Sequence, residues 1–195
     1  MIDDERFRAV ADDVARRLLG TGIQKSKHFE YIAHKQGVVI RLAYAPHTTE
    51  WAFLLSQEVQ NDAPFEIADL LRVTECPVEI WSKFTPIITD NPVTGYQSLC
   101  ERADALHTFG FRYLVGDPSA FAAARTDRSR RAKKYTEMIN RAPVIAEAEC
   151  AWRIGNMDEV VRLLSPYRGR LPLKEERRLT FAERKTSTNV KGLDI

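Results

Sequence analysis

Gly37-Val38-Val39-Ile40-Arg41-Leu42-Ala43-Tyr44, followed after Pro46-His47-Thr48-Thr49 by Glu50-Trp51-Ala52-Phe53-Leu54-Leu55, is the stretch that decides the fold. Both runs are rich in β-branched and aromatic residues, and the residues between them are turn formers. The pair therefore predicts two antiparallel strands. Phe29 to Ile32 has the same character and is set off by Lys35-Gln36-Gly37, which makes three strands joined by hairpins. Further upstream, Phe7, Val10, Val14 and Leu18 recur at spacings of three and four from Asp3 to Leu19, an amphipathic helix that stops at Gly20-Thr21-Gly22.

Downstream the pattern changes. Pro64 to Leu71 suits a short helix with Phe65, Ala68 and Leu71 on one face, and Val78-Glu79-Ile80-Trp81 reads as a fourth strand or extended segment. Pro77 to Pro92 is broken by prolines and by Thr89-Asp90-Asn91-Pro92, so a loop and a boundary fall here. Leu99, Ala103, Leu106, Gly110 and Tyr113 then form a helix face closing at Gly116. Asp117-Pro118 has the form of a cap with proline at the first helical position, opening a helix to about Asn140. Arg141-Ala142-Pro143 resets the chain into a second helix to Ile154. Helices follow over Met157 to Leu164 and Leu173 to Lys185, with Thr186 to Ile195 polar and frayed. The expectation is an α+β fold: an N-terminal helix, a small antiparallel sheet over about residues 28–82, and a helical half, with regions 1–92 and 93–195 in one compact domain.

The 195 residues are 44% hydrophobic and 29% charged, which excludes collagenous, mucin-like, disulfide-framework and disordered classes. Cys76, Cys100 and Cys150, an odd number far apart, point to buried thiols in a reducing compartment. The acidic start Met1-Ile2-Asp3-Asp4-Glu5 is unlike a signal or transit peptide, and no apolar run reaches the roughly 18 residues that span a bilayer. A cytoplasmic protein away from membranes is expected. Charge is unevenly spread: residues 1–117 carry 12 bases and 17 acids, residues 118–195 carry 17 bases and 10 acids.

Catalytic constellations are sparse. His28, His34, His47 and His107 lack ligand spacing, and no CxxC, HxxxH or HExxH exists, so no metal is expected. His28 and His34 are about 20 Å apart if both lie on one strand. Cys100 and His107 on one helix are about 10.5 Å apart along its axis, beyond the reach of a thiolate–imidazole couple. Glycines are scattered, Gly20-Thr21-Gly22 leads into strand-like sequence, and Gly-x-Ser-x-Gly is missing, so no nucleotide cofactor is expected. Carboxylates at Asp3-Asp4-Glu5, Asp12-Asp13 and Glu147/Glu149 suit exposed helix faces and helix N-termini. An enzyme would have to assemble its site from distant segments, with His107, Cys100, Glu50 and His47 as candidates.

The stretch from Arg125 to Lys134 holds six bases and one acid on one helix, flanked by Phe121 and Tyr135. Phe121, Arg128 and Tyr135 are spaced by seven, which puts Arg128 on the aromatic stripe. It can lie on a solvated basic face with its methylenes packed, meet a buried acid, or contact nucleic acid.

Ala148, Ala151, Trp152, Gly155, Val160-Val161, Leu163-Leu164 and Pro166 form a helix-turn-helix, with a third helix after Pro172. Over about 37 residues, Ala146 to Ala182, this order resembles one tetratricopeptide-like repeat. More broadly, the Glu50-Trp51-Ala52-Phe53-Leu54 strand, then Leu114-Val115-Gly116-Asp117-Pro118 leading into an arginine-rich helix and the Trp152 to Pro166 pair, resembles small bacterial proteins of the toxin-immunity or defence-associated type. The resemblance implies a non-catalytic binding role and no site residues. The expected function is that of an immunity or inhibitor-type protein that masks a toxin or enzyme. A basic partner would seek Tyr44, Trp51 and Trp81; an acidic one would seek Arg128, Arg130, Arg131 and Lys134. The alternative is nucleic-acid binding through residues 125–134 with Arg168, Arg170, Lys174, Arg177 and Arg178.

Overall fold

The structure, a computed structural model, describes residues 2–58 and 63–191, the last four by backbone alone. It is α+β. The elements in order are α1 (Asp4–Leu19), β1 (Gln24–Lys27), β2 (Glu30–Lys35), β3 (Val38–Ala45), β4 (Glu50–Gln57), β5 (Phe65–Glu66), α2 (Ile67–Leu71), α3 (Val78–Trp81), β6 (Ile87–Ile88), α4 (Pro92–Phe109), α5 (Phe111–Leu114), α6 (Pro118–Arg153), α7 (Met157–Leu164), a 3₁₀ turn (Ser165–Tyr167) and α8 (Leu173–Lys191). The chain forms two compact units, residues 1–129 and 130–195.

The first unit is built on an antiparallel sheet ordered β1-β2-β3-β4-β5, with β6 also on β4. In β3 and β4 the buried residues alternate, and the register sets Ile40 opposite Leu55, Leu42 opposite Phe53 and Tyr44 opposite Trp51. Because the side-chain period is two, a slip of one residue would turn all of these to solvent, so burial fixes the register. Onto that face α1 lays Phe7, Ala11, Val14, Ala15 and Leu18. Asp3 caps its start by accepting from Arg6 N at 2.8 Å, and Gly20 ends it at φ 65. The Asp4 carboxylate accepts from Lys25 Nζ and from Phe29 N (2.9 Å), holding the β1–β2 turn, where Phe29 has φ 56, against the helix. The hydrogen bond from Lys25 lowers the Asp4 carboxyl to about 2.

Several elements depart from the sequence reading. Gln24–Lys27 is a strand that the sequence pattern does not mark, because all four residues are exposed; it is held by pairing with β2 and by the Lys25 bond to Asp4. Phe65–Glu66 is not helical: it pairs with Leu55 and Leu54, and the helix begins only at Ile67. Val78–Trp81 is a helical turn rather than a strand, started by Pro77 with Ile80 N bonded to the Pro77 carbonyl at 3.0 Å, so the proline overrides the β propensity of Val and Ile. Ile87–Ile88 adds a strand against Trp51 and Glu50. The sheet thus spans residues 24–88 rather than about 28–82.

Beyond the sheet, the predicted face Leu99, Ala103, Leu106, Gly110 and Tyr113 is buried, split between α4 and α5 at Gly110. Pro143 does not reset the chain; α6 runs through it to Arg153. The proline removes one N–H and is itself exposed, as is Ile139 four residues back, so water can take the freed carbonyl. In the second unit Ala148 and Ala151 of α6, Val160, Leu163 and Leu164 of α7, and Leu179 and Ala182 of α8 make a separate core. The turn between α6 and α7 passes through Gly155 at φ 75, and Asn156 caps α7 by accepting from Glu159 N at 3.2 Å. α8 continues to Lys191, past the expected fraying; residues 192–195 of the expected polar tail lie outside the described residues.

Tyr44 supplies a stability test. Its hydroxyl is buried and has no hydrogen-bond partner among the described residues. Removing an unsatisfied buried polar group while keeping the ring is favourable, so Tyr44→Phe raises unfolding free energy by about 1 kcal/mol in urea denaturation. A loss of stability would mean that the hydroxyl is satisfied in solution.

Candidate functional site

Sequence candidates divide sharply by burial. Tyr44 and Trp51, expected as surface anchors, are 4% and 3% exposed: α1 covers the face that carries them. Phe7 lies 5.9 Å from the Tyr44 ring and 5.3 Å from that of Trp51, and the Trp51 indole donates to Thr89 O at 2.8 Å. Both side chains are core and offer a partner nothing. Trp81 is half-buried, with the Arg72 guanidinium 4.4 Å above its ring.

Arg128 is anchored to backbone carbonyls and to an aromatic ring. Its guanidinium donates to Ala63 O and Pro64 O, each at 2.8 Å, and stacks 3.6 Å over Phe65. It is a strut between α6 and the start of β5, which explains a long cation on the Phe121 stripe. A second guanidinium, Arg102, is buried at the gap that β5 and β6 leave along β4 beside Ala52 and Phe53. It donates to Ser98 O at 3.1 Å and to Thr85 O, and burial lowers its pKa.

The enzyme candidates do not converge in the clefts that the structure shows. Glu50 borders the small cleft at Arg102, while His47 and His107 are exposed and Cys100 is half-buried. All three cysteines are free thiols, but only Cys76 is buried; Cys150 is exposed on α6, against the expectation of buried thiols. Among the described residues no group of three or more His, Cys, Asp or Glu is placed to hold a metal. No helix of the described residues is long and apolar enough to cross a membrane.

What stands out is the exposed run of α6 from Arg130 to Ala142. Tyr135, Met138 and Ile139 are 62%, 56% and 49% exposed, and with exposed Ala142 they follow the i, i+3, i+4, i+7 spacing of one helix face. At 3.6 residues per turn, Arg130, Lys133 and Lys134 lie about 100° or more around the helix from Tyr135. The segment is therefore amphipathic, with an apolar stripe facing solvent and a cationic flank. Lys133 and Lys134 make no ion pair among the described residues. Other bases of the second unit are engaged: Arg168 with Glu183, Lys174 and Arg178 with Glu149 (3.8 and 3.7 Å), and Arg162 with Glu159 (2.5 Å). The second unit carries 15 Lys+Arg against nine Asp+Glu, the first 14 against 18. Sequence periodicity contained the stripe, yet the segment reads there chiefly as a run of positive charge; Met138 and Ile139 become notable only through their exposure.

The fold and this surface define an α+β protein with a cationic amphipathic helix exposed. Comparison with protein-family models, with curated proteins and with solved structures finds no match for the chain.

Proposed function

We propose that the chain is a non-catalytic binding protein of the immunity or inhibitor type, working in the cytoplasm, which presents residues 130–142 of α6 to an acidic surface on a toxin or enzyme. The observation that carries this reading is the solvent-facing stripe Tyr135, Met138 and Ile139 beside Lys133 and Lys134. Tyr and Met are enriched in the centres of protein interfaces, and cations around an apolar centre steer an acidic partner into place. Burying a Met or Ile side chain is worth about 1.5–3 kcal/mol, against roughly 0–1 kcal/mol for an exposed ion pair. The stripe therefore supplies affinity and the lysines supply association rate.

Nucleic-acid binding is the second reading, favoured by the charge of the same segment. It gives no role to exposed Met138 and Ile139, and several of the other bases it would use are already paired with carboxylates.

Capture from lysate of the source cells, with and without nuclease treatment and at low and high salt, tests the proposal with Met138→Glu as the comparison. The expected result is an acidic protein held by the unaltered chain in high salt, with Met138→Glu weakening the purified complex about 100-fold in calorimetry. Lys133→Ala slows association with a smaller loss of affinity. Nucleic acid lost on raising salt, capture indifferent to Met138→Glu, or a dimer of the chain that Met138→Glu dissociates in sedimentation would each overturn it. So would capture of nothing.

A further inference from the structure

The first unit holds a cleft of about 560 Å³ between the α2–α3 connection, the end of α4, α5 and the start of α6. That volume lies in the range of small-molecule sites. Its walls mix apolar side chains, Val73, Phe109, Ala120 and Ala123, with polar ones at the rim.

The polar groups at its rim are mostly spoken for. Thr74 Oγ donates to Leu71 O at 2.8 Å and accepts from Cys76 N at 3.2 Å, and Thr108 Oγ donates to Asp104 O at 2.8 Å. Ser119 Oγ accepts from Arg112 at 2.7 Å and donates to Asp117 at 2.8 Å. Asp117 also accepts from Arg112 Nε at 2.7 Å and from Ser119 N at 2.8 Å, and these bonds, that from the Ser119 hydroxyl foremost, bring its carboxyl to about 2. The start of α6 thus already has its anion in Asp117, which together with Ser119 engages the Arg112 guanidinium.

Tyr113 is the exception. It lines the cleft at 1% exposure, its ring is fixed edge-on to Phe121 at 5.1 Å and 82°, and its hydroxyl makes no hydrogen bond to any described residue. It is also not among the fully enclosed polar atoms that lack a partner, so the exposed sliver of the residue includes its hydroxyl. Burial raises the phenol to about 12, which keeps it protonated and a donor at neutral pH. A donor that reaches the cleft and has no acceptor among the described residues is open to a ligand acceptor in place of water.

We infer that this cleft is a binding site for a neutral, mainly apolar ring compound bearing a carbonyl acceptor, which receives the Tyr113 hydroxyl proton in a hydrogen bond. A neutral ligand is specified because Arg112 is already paired with Asp117, while Glu75 stands exposed on the rim and repels an anion. The site is separate from the α6 surface, and its failure would leave the proposed partner binding untouched.

Benzamide, an uncharged ring with one carbonyl, is the probe, titrated into the full chain with amide resonances followed by NMR. Saturable shifts at Phe109, Tyr113, Ala120 and Ala123 are expected. Tyr113→Phe, which keeps the ring, weakens binding about ten-fold, the value of one hydrogen bond of roughly 1.4 kcal/mol. Ala123→Trp fills the cleft and abolishes binding, with far-ultraviolet circular dichroism confirming that both variants fold. Benzoate binds more weakly than benzamide. Absence of saturation to the solubility limit, equal binding by Tyr113→Phe, or tighter binding of benzoate would overturn the assignment.

Discussion

Gly95→Ala destabilises the protein by about 3 kcal/mol or more, at the upper end of what overpacking costs. In an ordinary exposed helix the same change would stabilise by about 1 kcal/mol, since alanine is the better helix former. The sign reverses because a Cβ at position 95 falls 2.4 Å from Trp51 Cε2 and Cζ2 and 2.8 Å from Cη2. No flexible side-chain end is available to give way. The indole is pinned by its hydrogen bond to Thr89 O at 2.8 Å and by Phe7 and Tyr44 rings each 5.3 Å away. α4 must therefore lift from the sheet or Trp51 must leave its site. Urea denaturation measures the loss, and near-ultraviolet dichroism reports the disturbed aromatic cluster. Gly155→Ala is the control: its φ is 75, but no atom lies within 4 Å of the added Cβ, so only backbone strain of about 1–2 kcal/mol is expected. A Gly95→Ala loss no larger than the control would show that α4 has room to move.

The same tryptophan shows how far sequence reasoning reaches. Alternation in β3 and β4 made the strands, the hairpin and their pairing legible, because burial of every second residue imposes a register. It did not say what lies over that face. Tyr44 and Trp51 consequently read as anchors for a partner, when the partner is α1 of the same chain. β1 carried no signal, since Gln24-Lys25-Ser26-Lys27 buries no side chain, and exposed lysines on an edge strand discourage pairing with other chains. At Val78 and Pro143 the local chemistry pointed the wrong way for opposite reasons: a proline started a helical turn where β propensity suggested a strand, and a proline sat within a helix where a break was expected.

For the candidate surfaces the missing information was coverage rather than periodicity. Tyr135, Met138 and Ile139 have the spacing of any buried helix stripe, and only the fold reveals that the stripe faces water. Arg128, on the same azimuth as Phe121, is half-buried by binding two carbonyls and a ring that sequence places more than 60 residues away. Tyr113 was correctly on the buried face of its helix. Whether its hydroxyl met an acceptor was beyond any pattern, because that depends on the cleft assembled by three separate helices and a loop.

Phe7→Ala removes the ring that joins α1 to the sheet and lowers stability by about 3–5 kcal/mol. Phe7 has no exposed surface, and its ring lies 6.4 Å from Phe29, 5.9 Å from Tyr31 and Tyr44, and 5.3 Å from Trp51. Four aromatic neighbours on a hydrogen-bonded sheet cannot readily close over the space, so the cavity cost adds to the lost transfer energy. Phe7→Leu retains most of the volume and costs less than Phe7→Ala in the same urea titration. A Phe7→Ala loss below about 2 kcal/mol would mean that α1 settles into the gap. The double variant with Gly95→Ala separates the two mechanisms. Phe7 and the position 95 Cβ both bear on Trp51, one by supporting it and the other by displacing it, so the space left by the first gives the indole somewhere to go. The double variant is expected to lose about 1 kcal/mol less than the sum of the single losses, since substitutions that share a neighbour are not additive. Simple additivity would show instead that Trp51 keeps its place when Phe7 is gone, and that the clash at position 95 is relieved by movement of α4.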